Sequence, residues 1–300
     1  MQQLITKFYQ SKALKNTSWL IIEKLLTMIL MLVINIFIAR ELGPENFGVL
    51  SYLIAIFSII SPISALGLNA LVTKELVEGK RNQIEIMSTA LFFRVIGGFL
   101  GLIIVLFAIE SNLFSQITDY YWALILLSFV SVITALHIID FWFQARVESK
   151  YIVMARLFTI ILFFLIKAFL IYTSATLTEF ILVIFIEYCA ICVAFLTIYC
   201  IKSGRFSFTS INFKYGLSLL KKSYWLILSG IASVIYLKID QVMLAEMVSV
   251  EETGIYAVAS RLSEVWYFFA TALVSSFFPA LIKLKSEDAV LYENKLQQLN

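Results

Sequence analysis

Residues 18–39 read SWLIIEKLLTMILMLVINIFIA, 22 positions in which Glu23 and Lys24 are the only charges. About 20 mostly apolar residues in a helix are enough to cross the hydrocarbon of a bilayer, so the segment reads as a spanning helix. Gly43-Pro44 closes it. Pro44 then suits the first turn of a following helix, where its missing N–H costs nothing. Seven further segments of this kind follow: Phe47 to Leu68, Ser88 to Ile109, Tyr121 to Ile139, Ile152 to Tyr172, Leu177 to Cys200, Tyr224 to Val248 and Gly254 to Ile282. The runs are continuous and lack the ten-residue alternation of barrel strands. The predicted fold class is therefore all-α, a polytopic membrane protein with eight transmembrane helices.

The composition of the 300 residues agrees. Hydrophobic residues make up 61% and charged residues 14%, with mean hydropathy +0.92, whereas soluble domains are about half apolar and a quarter charged. A net charge of +3 with no basic block argues against nucleic acid as a partner. Cys189, Cys192 and Cys200 share one apolar run, so no disulfide framework is visible. The polar first sixteen residues and the full-length run after them do not read as a cleaved signal peptide.

Orientation follows from the cations, because short cytoplasmic loops retain Lys and Arg. Seventeen of the 23 basic residues fall in the amino-terminal segment, the second, fourth and sixth loops and the tail. Arg40 alone lies in the four opposite loops, and Lys24, Arg94, Lys167, Lys238 and Arg261 lie inside apolar segments. Both termini are therefore expected in the cytoplasm.

A shift of 206 residues lays the first two helices over the seventh and eighth without a gap. Trp19-Leu20-Ile21 falls on Trp225-Leu226-Ile227, Ala39 on Ala245, Glu45 on Glu251 and Gly48 on Gly254. Six helices separate the copies, so both have the same orientation and would be related about an axis along the membrane normal. The expected organisation is a first lobe over 1–200, a cytoplasmic linker over 201–222 and the start of a second, related lobe over 223–300.

The run Asn35-Ile-Phe-Ile-Ala-Arg-Glu-Leu-Gly-Pro-Glu-Asn-Phe-Gly48 resembles the first loop of Wzx-type O-antigen and polysaccharide-repeat flippases, members of the multidrug/oligosaccharidyl-lipid/polysaccharide exporter superfamily. Lys238-Ile239-Asp240-Gln241, Glu252-Thr253-Gly254-Ile255-Tyr256 and Ala259-Ser260-Arg261-Leu262 are similar to that family's seventh and eighth helices. The resemblance implies twelve to fourteen helices in two six-helix lobes. On it the chain is expected to be truncated after helix 8, with a complete first lobe and two helices of the second. It also implies a bacterial inner-membrane secondary transporter, not an enzyme, that flips an undecaprenyl-diphosphate-linked oligosaccharide (O-antigen, capsule or exopolysaccharide unit) by alternating access. Implied partners are that lipid-linked oligosaccharide, membrane lipids and polysaccharide polymerase machinery.

Nothing in the residues points to catalysis. His137 is the single histidine, no phosphate-binding Gly-rich loop is present, and no metal or cofactor is expected. The informative residues are polar groups inside the bilayer, each costing about 2.5 kcal/mol or more at the midplane unless paired or wet. Lys24, Asn35, Arg94, Asp240 and Arg261 are the candidate substrate-binding residues. Glu23, Glu187, Lys238 and Glu264 are candidates for ion coupling or charge balance. Lys167 lies near a helix end and is expected to snorkel. Within the same superfamily the alternatives are export of a peptidoglycan or teichuronic acid precursor, or of a drug. From another class the alternative is a membrane-embedded polymerase or acyltransferase, for which the short outer loops leave little room.

Overall fold

The computed structural model describes residues 2–203, 210–264 and 266, and every described element is helical. Among the described residues, six helical stretches are long and apolar enough to cross a membrane: Ser18–Glu78, Gln83–Glu110, Ser115–Ala145, Lys150–Tyr172, Leu177–Lys202 and Phe213–Met247. They make the chain a multi-pass membrane protein. The first stretch has 61 residues, about three times what one crossing needs at 1.5 Å per residue. It is also not one rod. Helix α1 (Gln2–Ala65) breaks at Gly43, whose φ of 72° and ψ of 171° lie outside the helical region. That backbone is open to Gly and strained for other residues, and Pro44 restarts the helix behind it. The expected break between the first two helices is thus where the sequence put it.

The second arm of α1, residues 44–65, runs through the middle of the bundle. Phe47, Leu50, Tyr52, Leu53 and Ala55 are each at most 1% exposed. The first arm instead turns Ile22, Ile29 and Phe37 outward, which suits a lipid-facing helix. After α2 (Leu68–Glu78), α3 (Gln83–Glu110) starts at an Asn82 cap whose side chain accepts a hydrogen bond from the Ile84 N–H. Gly98 lets α3 lie directly on α4 (Tyr121–Ile133): a Cβ there would sit 2.6 Å from Val132 Cα. This is the small-residue contact that helices use where no hydrophobic effect drives them together.

The fourth expected helix is not continuous. Following α4, Thr134–His137 tightens to a 3₁₀ turn before α5 (Ile138–Ala145). Next come α6 (Lys150–Tyr172) and α7 (Leu177–Ser203), close to their expected bounds. Helix α8 (Phe213–Met247) begins well before the expected Tyr224, because Asn212 caps it by accepting from the Tyr215 N–H. Part of the segment read as linker is therefore helix. Residues 250–264 are helical as well. The remainder of the eighth expected helix, to Ile282, and the basic tail lie outside the described residues, as does linker residue Arg205.

By packing, Met1–Ala257 form one unit and Val258–Asn300 another. Within the first, the segments rich in cations meet at one end. Asn16 accepts from the Ser149 N–H (2.7 Å), Arg146 donates to Gln83 (2.9 Å), Asn212 donates to Glu85 (2.8 Å) and Lys222 pairs with Glu75 (3.3 Å). The segments at the other ends of the same helices meet separately, through Tyr52, Ser115 and Glu246.

The repeat appears in the packing too. A Cβ on Gly48 would overlap the Val250 carbonyl oxygen and lie 3.0 Å from Gly254 N; a Cβ on Gly254 would overlap the Pro44 carbonyl oxygen and lie 2.9 Å from Gly48 N. Pro44 and Val250 are themselves 206 positions apart, as Gly48 and Gly254 are. Each copy therefore makes the same contact on the other, as a two-fold axis passing between them requires.

Candidate functional site: a buried ion cluster in the first lobe

Three helices bring charges together between the bundle core and the cation-rich end. Glu23 comes from the first arm of α1, Asp140 from the first turn of α5, and Arg156 from α6, about two turns in. Arg156 Nη1 donates to both Glu23 carboxylate oxygens at 3.2 Å, and Nη2 donates to Asp140 Oδ2 at 2.5 Å. Glu23 and Asp140 are 6% and 8% exposed. Such charges are tolerated in a membrane interior because each has a hydrogen-bonded partner. With both acids ionised, two carboxylates share one guanidinium and the triad carries a net charge of −1.

The surroundings are aromatic and partly unsatisfied. The Arg156 guanidinium lies 5.2 Å from the Phe195 ring centroid, and the His137 ring lies 5.5 Å from the same ring. His137 stands within electrostatic range of both Arg156 and Arg94. Arg94, 6% exposed, reaches in from α3 and lies 5.9 Å from the Phe141 ring. Four buried polar positions here have no hydrogen-bond partner among the described residues: Asp140 Oδ1, His137 Nε2, and Arg94 Nε and Nη1.

The expected site residues distribute unevenly. Glu23 is in the cluster, while its neighbour Lys24 is exposed on the other side of α1. Arg94 sits inside the first lobe near Cys192. Asn35 donates to Met31 O of its own helix at 2.6 Å. Asp240 accepts from the Tyr256 hydroxyl and, at 2.8 Å, from the Gln241 N–H. Lys238 is half-buried on α8. Arg261 and Glu264 belong to the second unit, where Glu264 acts electrostatically on Arg261.

Lys167 corrects an expectation. It does not snorkel: it is 5% exposed and pairs with Glu187 of α7 at 2.5 Å, beside a small cleft lined by Leu30, Met31, Ile34, Ile160 and Phe164. That pairing accounts for Glu187, the acid placed mid-helix in the sequence.

Asp140, Arg156 and His137 were missed as a site. Arg156 reads as a loop cation in the charge count, and its two partners are 133 and 16 residues away. The one available signal was that Arg156 follows the start of an apolar run by more than a turn, too deep for a loop residue. No cluster of three or more His, Cys, Asp or Glu side chains able to hold a metal occurs among the described residues.

No curated protein and no solved structure matches the chain. A family model does. Residues 13–285 match the model described as polysaccharide biosynthesis protein, from the first helix through the eighth expected one. That match spans nearly the whole sequence and both copies of the repeat, and by it the chain belongs to the polysaccharide biosynthesis protein family.

Proposed function

We propose that the chain belongs to a secondary exporter that flips a lipid-linked oligosaccharide across the bacterial inner membrane. The observation that carries this reading is the reciprocal contact of Pro44–Gly48 with Val250–Gly254. Two equivalently oriented copies packed about an axis along the membrane normal are what a two-lobed alternating-access transporter needs. In this reading the break at Gly43 is a turn between two crossings, which would make seven crossings and the opening of an eighth, and the cation-rich end would face the cytoplasm.

The cargo in this reading is an undecaprenyl-diphosphate-linked repeat unit. Exposed Lys24 supplies a cation for a diphosphate, and Asn35 and Asp240 supply polar contacts for sugars. The Glu23–Arg156–Asp140 triad supplies the coupling. It ties α1, α5 and α6 together through two buried ion pairs, so making and breaking those pairs would bias the chain between states that differ in how these helices are held.

The test uses the natural full-length protein in its own membrane. Depletion should trap the lipid-linked oligosaccharide on the cytoplasmic leaflet and remove the polysaccharide from the surface. Lys24→Gln should fail to restore it at normal protein levels. Unchanged surface polysaccharide and an unchanged lipid-linked pool after depletion would reject this function. Topology is tested separately: cysteines placed at Gln116 and Thr176 should react with an impermeant reagent from outside, and one at Ser210 should not.

A further inference from the structure

Helix α8 is held to the first lobe in two different ways at its two ends. At the cytoplasmic end Tyr215 and Leu219 are part of the lobe's own apolar core, packed with Phe93, Ile138 and Trp142. Gly216 lies so close to the Phe93 ring that a Cβ would overlap it. Between residues 224 and 240 most side chains are exposed, Trp225 and Tyr236 among them. Contact along that stretch is slight, as where Gly67 meets Leu226 and Gly230 meets Pro62, and at the outer end its chemistry becomes polar and backbone-to-backbone. Both oxygens of the Glu246 carboxylate are taken by hydroxyls of the first lobe: Tyr52 donates to Oε1 at 2.6 Å and Ser115 to Oε2 at 2.9 Å. Just beyond it, Gly48 and Gly254 meet with no side chain between them.

An end sunk in a hydrophobic core separates only if the core opens. An end held by two hydroxyls and a glycine crossing, with the small side chains of Ala245 and Thr253 buried around them, parts along a surface that no large side chain interlocks. We propose that Glu246, clasped by Tyr52 and Ser115, is the outer gate latch of this protein, and that the first turns of α8 are the fixed anchor about which its outer end swings. The Gly48–Gly254 crossing is the seam that closes when the latch is made. The sidedness of this inference rests on the membrane orientation proposed above, but the gate itself is read by accessibility and does not depend on what is carried.

The experiment places one cysteine at Thr253, which is fully buried beside the seam, in the natural full-length chain with Cys189, Cys192 and Cys200 replaced by Ala. A second reporter replaces Leu219, 1% exposed in the anchor. Maleimide labelling rates are measured in membrane vesicles open on both sides. Glu246→Ala removes the acceptor for both hydroxyls and should speed labelling at Thr253→Cys on the order of ten-fold, with smaller increases for Tyr52→Phe and Ser115→Ala. Labelling at Leu219→Cys should not change. If Glu246→Ala does not reach the membrane, the two hydroxyl deletions decide the matter. Unchanged labelling at Thr253→Cys in all latch variants would overturn the proposal. So would an equal rise at Leu219→Cys, which signifies general loosening. Faster labelling at Thr253→Cys in a protein whose depletion leaves surface polysaccharide intact would keep the gate and reject the cargo.

Discussion

Replacing Arg156 by Gln tests whether the triad is the electrostatic centre of the first lobe. The substitution removes three hydrogen bonds, two at 3.2 Å to Glu23 and one at 2.5 Å to Asp140. It leaves two acids, 6% and 8% exposed, with no nearby cation in hydrogen-bond contact. Removing one partner of a buried pair costs about 3–5 kcal/mol, because the remaining charge stays buried. Against a typical folding stability of about 5–15 kcal/mol, that is a large loss. Taking both carboxylates away with the cation should restore the stability, because a neutral Glu23→Gln, Asp140→Asn, Arg156→Gln triple variant leaves no orphaned charge. The measurement is the fraction of detergent-solubilised full-length protein that stays monodisperse after a heat step, for the single and triple variants. A single Arg156→Gln variant as stable as the parent would refute the reasoning. A triple variant no better than the single would refute the claim that orphaned carboxylates cause the loss.

The Lys167–Glu187 pair should behave alike in stability but differently in transport. Lys167→Met alone should cost about 3–5 kcal/mol, while Lys167→Met with Glu187→Met should restore most of it and leave export intact; loss of export in a stable double variant would give the pair a working role. Gly98→Leu should abolish stable insertion, since even a Cβ would lie 2.6 Å from Val132 Cα; normal levels in a membrane-fraction blot would contradict the α3–α4 packing.

Much of this fold was legible in the sequence because membrane insertion writes it in hydrophobicity. The break at Gly43-Pro44, the starts near Tyr121 and Leu177, and the grouping of cationic loops follow from length, turn chemistry and charge. The copy relation of Gly48 and Gly254 followed from alignment alone, and the packing gives it a contact. The site was much less legible. Glu23 was singled out, but its partner Arg156 was assigned to a loop, since charge counting treats every helix-end cation as equivalent. Lys167 was read by depth, and depth does not reveal that Glu187 faces it from the next helix. Pairings between helices are tertiary facts, and one sequence without relatives carries no trace of them.

The tightened turn at Thr134–His137 has a geometric consequence for the helix below it. Four residues at about 120° each, in place of about 100°, advance the chain roughly 80° farther around its axis than an uninterrupted α-helix would. A helical wheel drawn straight through 121–145 puts Asp140 across from Ala123, Leu127 and Ser131, the buried side of α4, and so toward lipid. In α5 burial runs nearly all round, over Ile138, Ile139, Asp140, Trp142 and Phe143, and the turn advances Asp140 toward the side that α4 buries. Shortening or lengthening that turn by a single residue would swing the Asp140 carboxylate by about 100–120°, enough to carry it out of reach of Arg156 while every residue stayed the same.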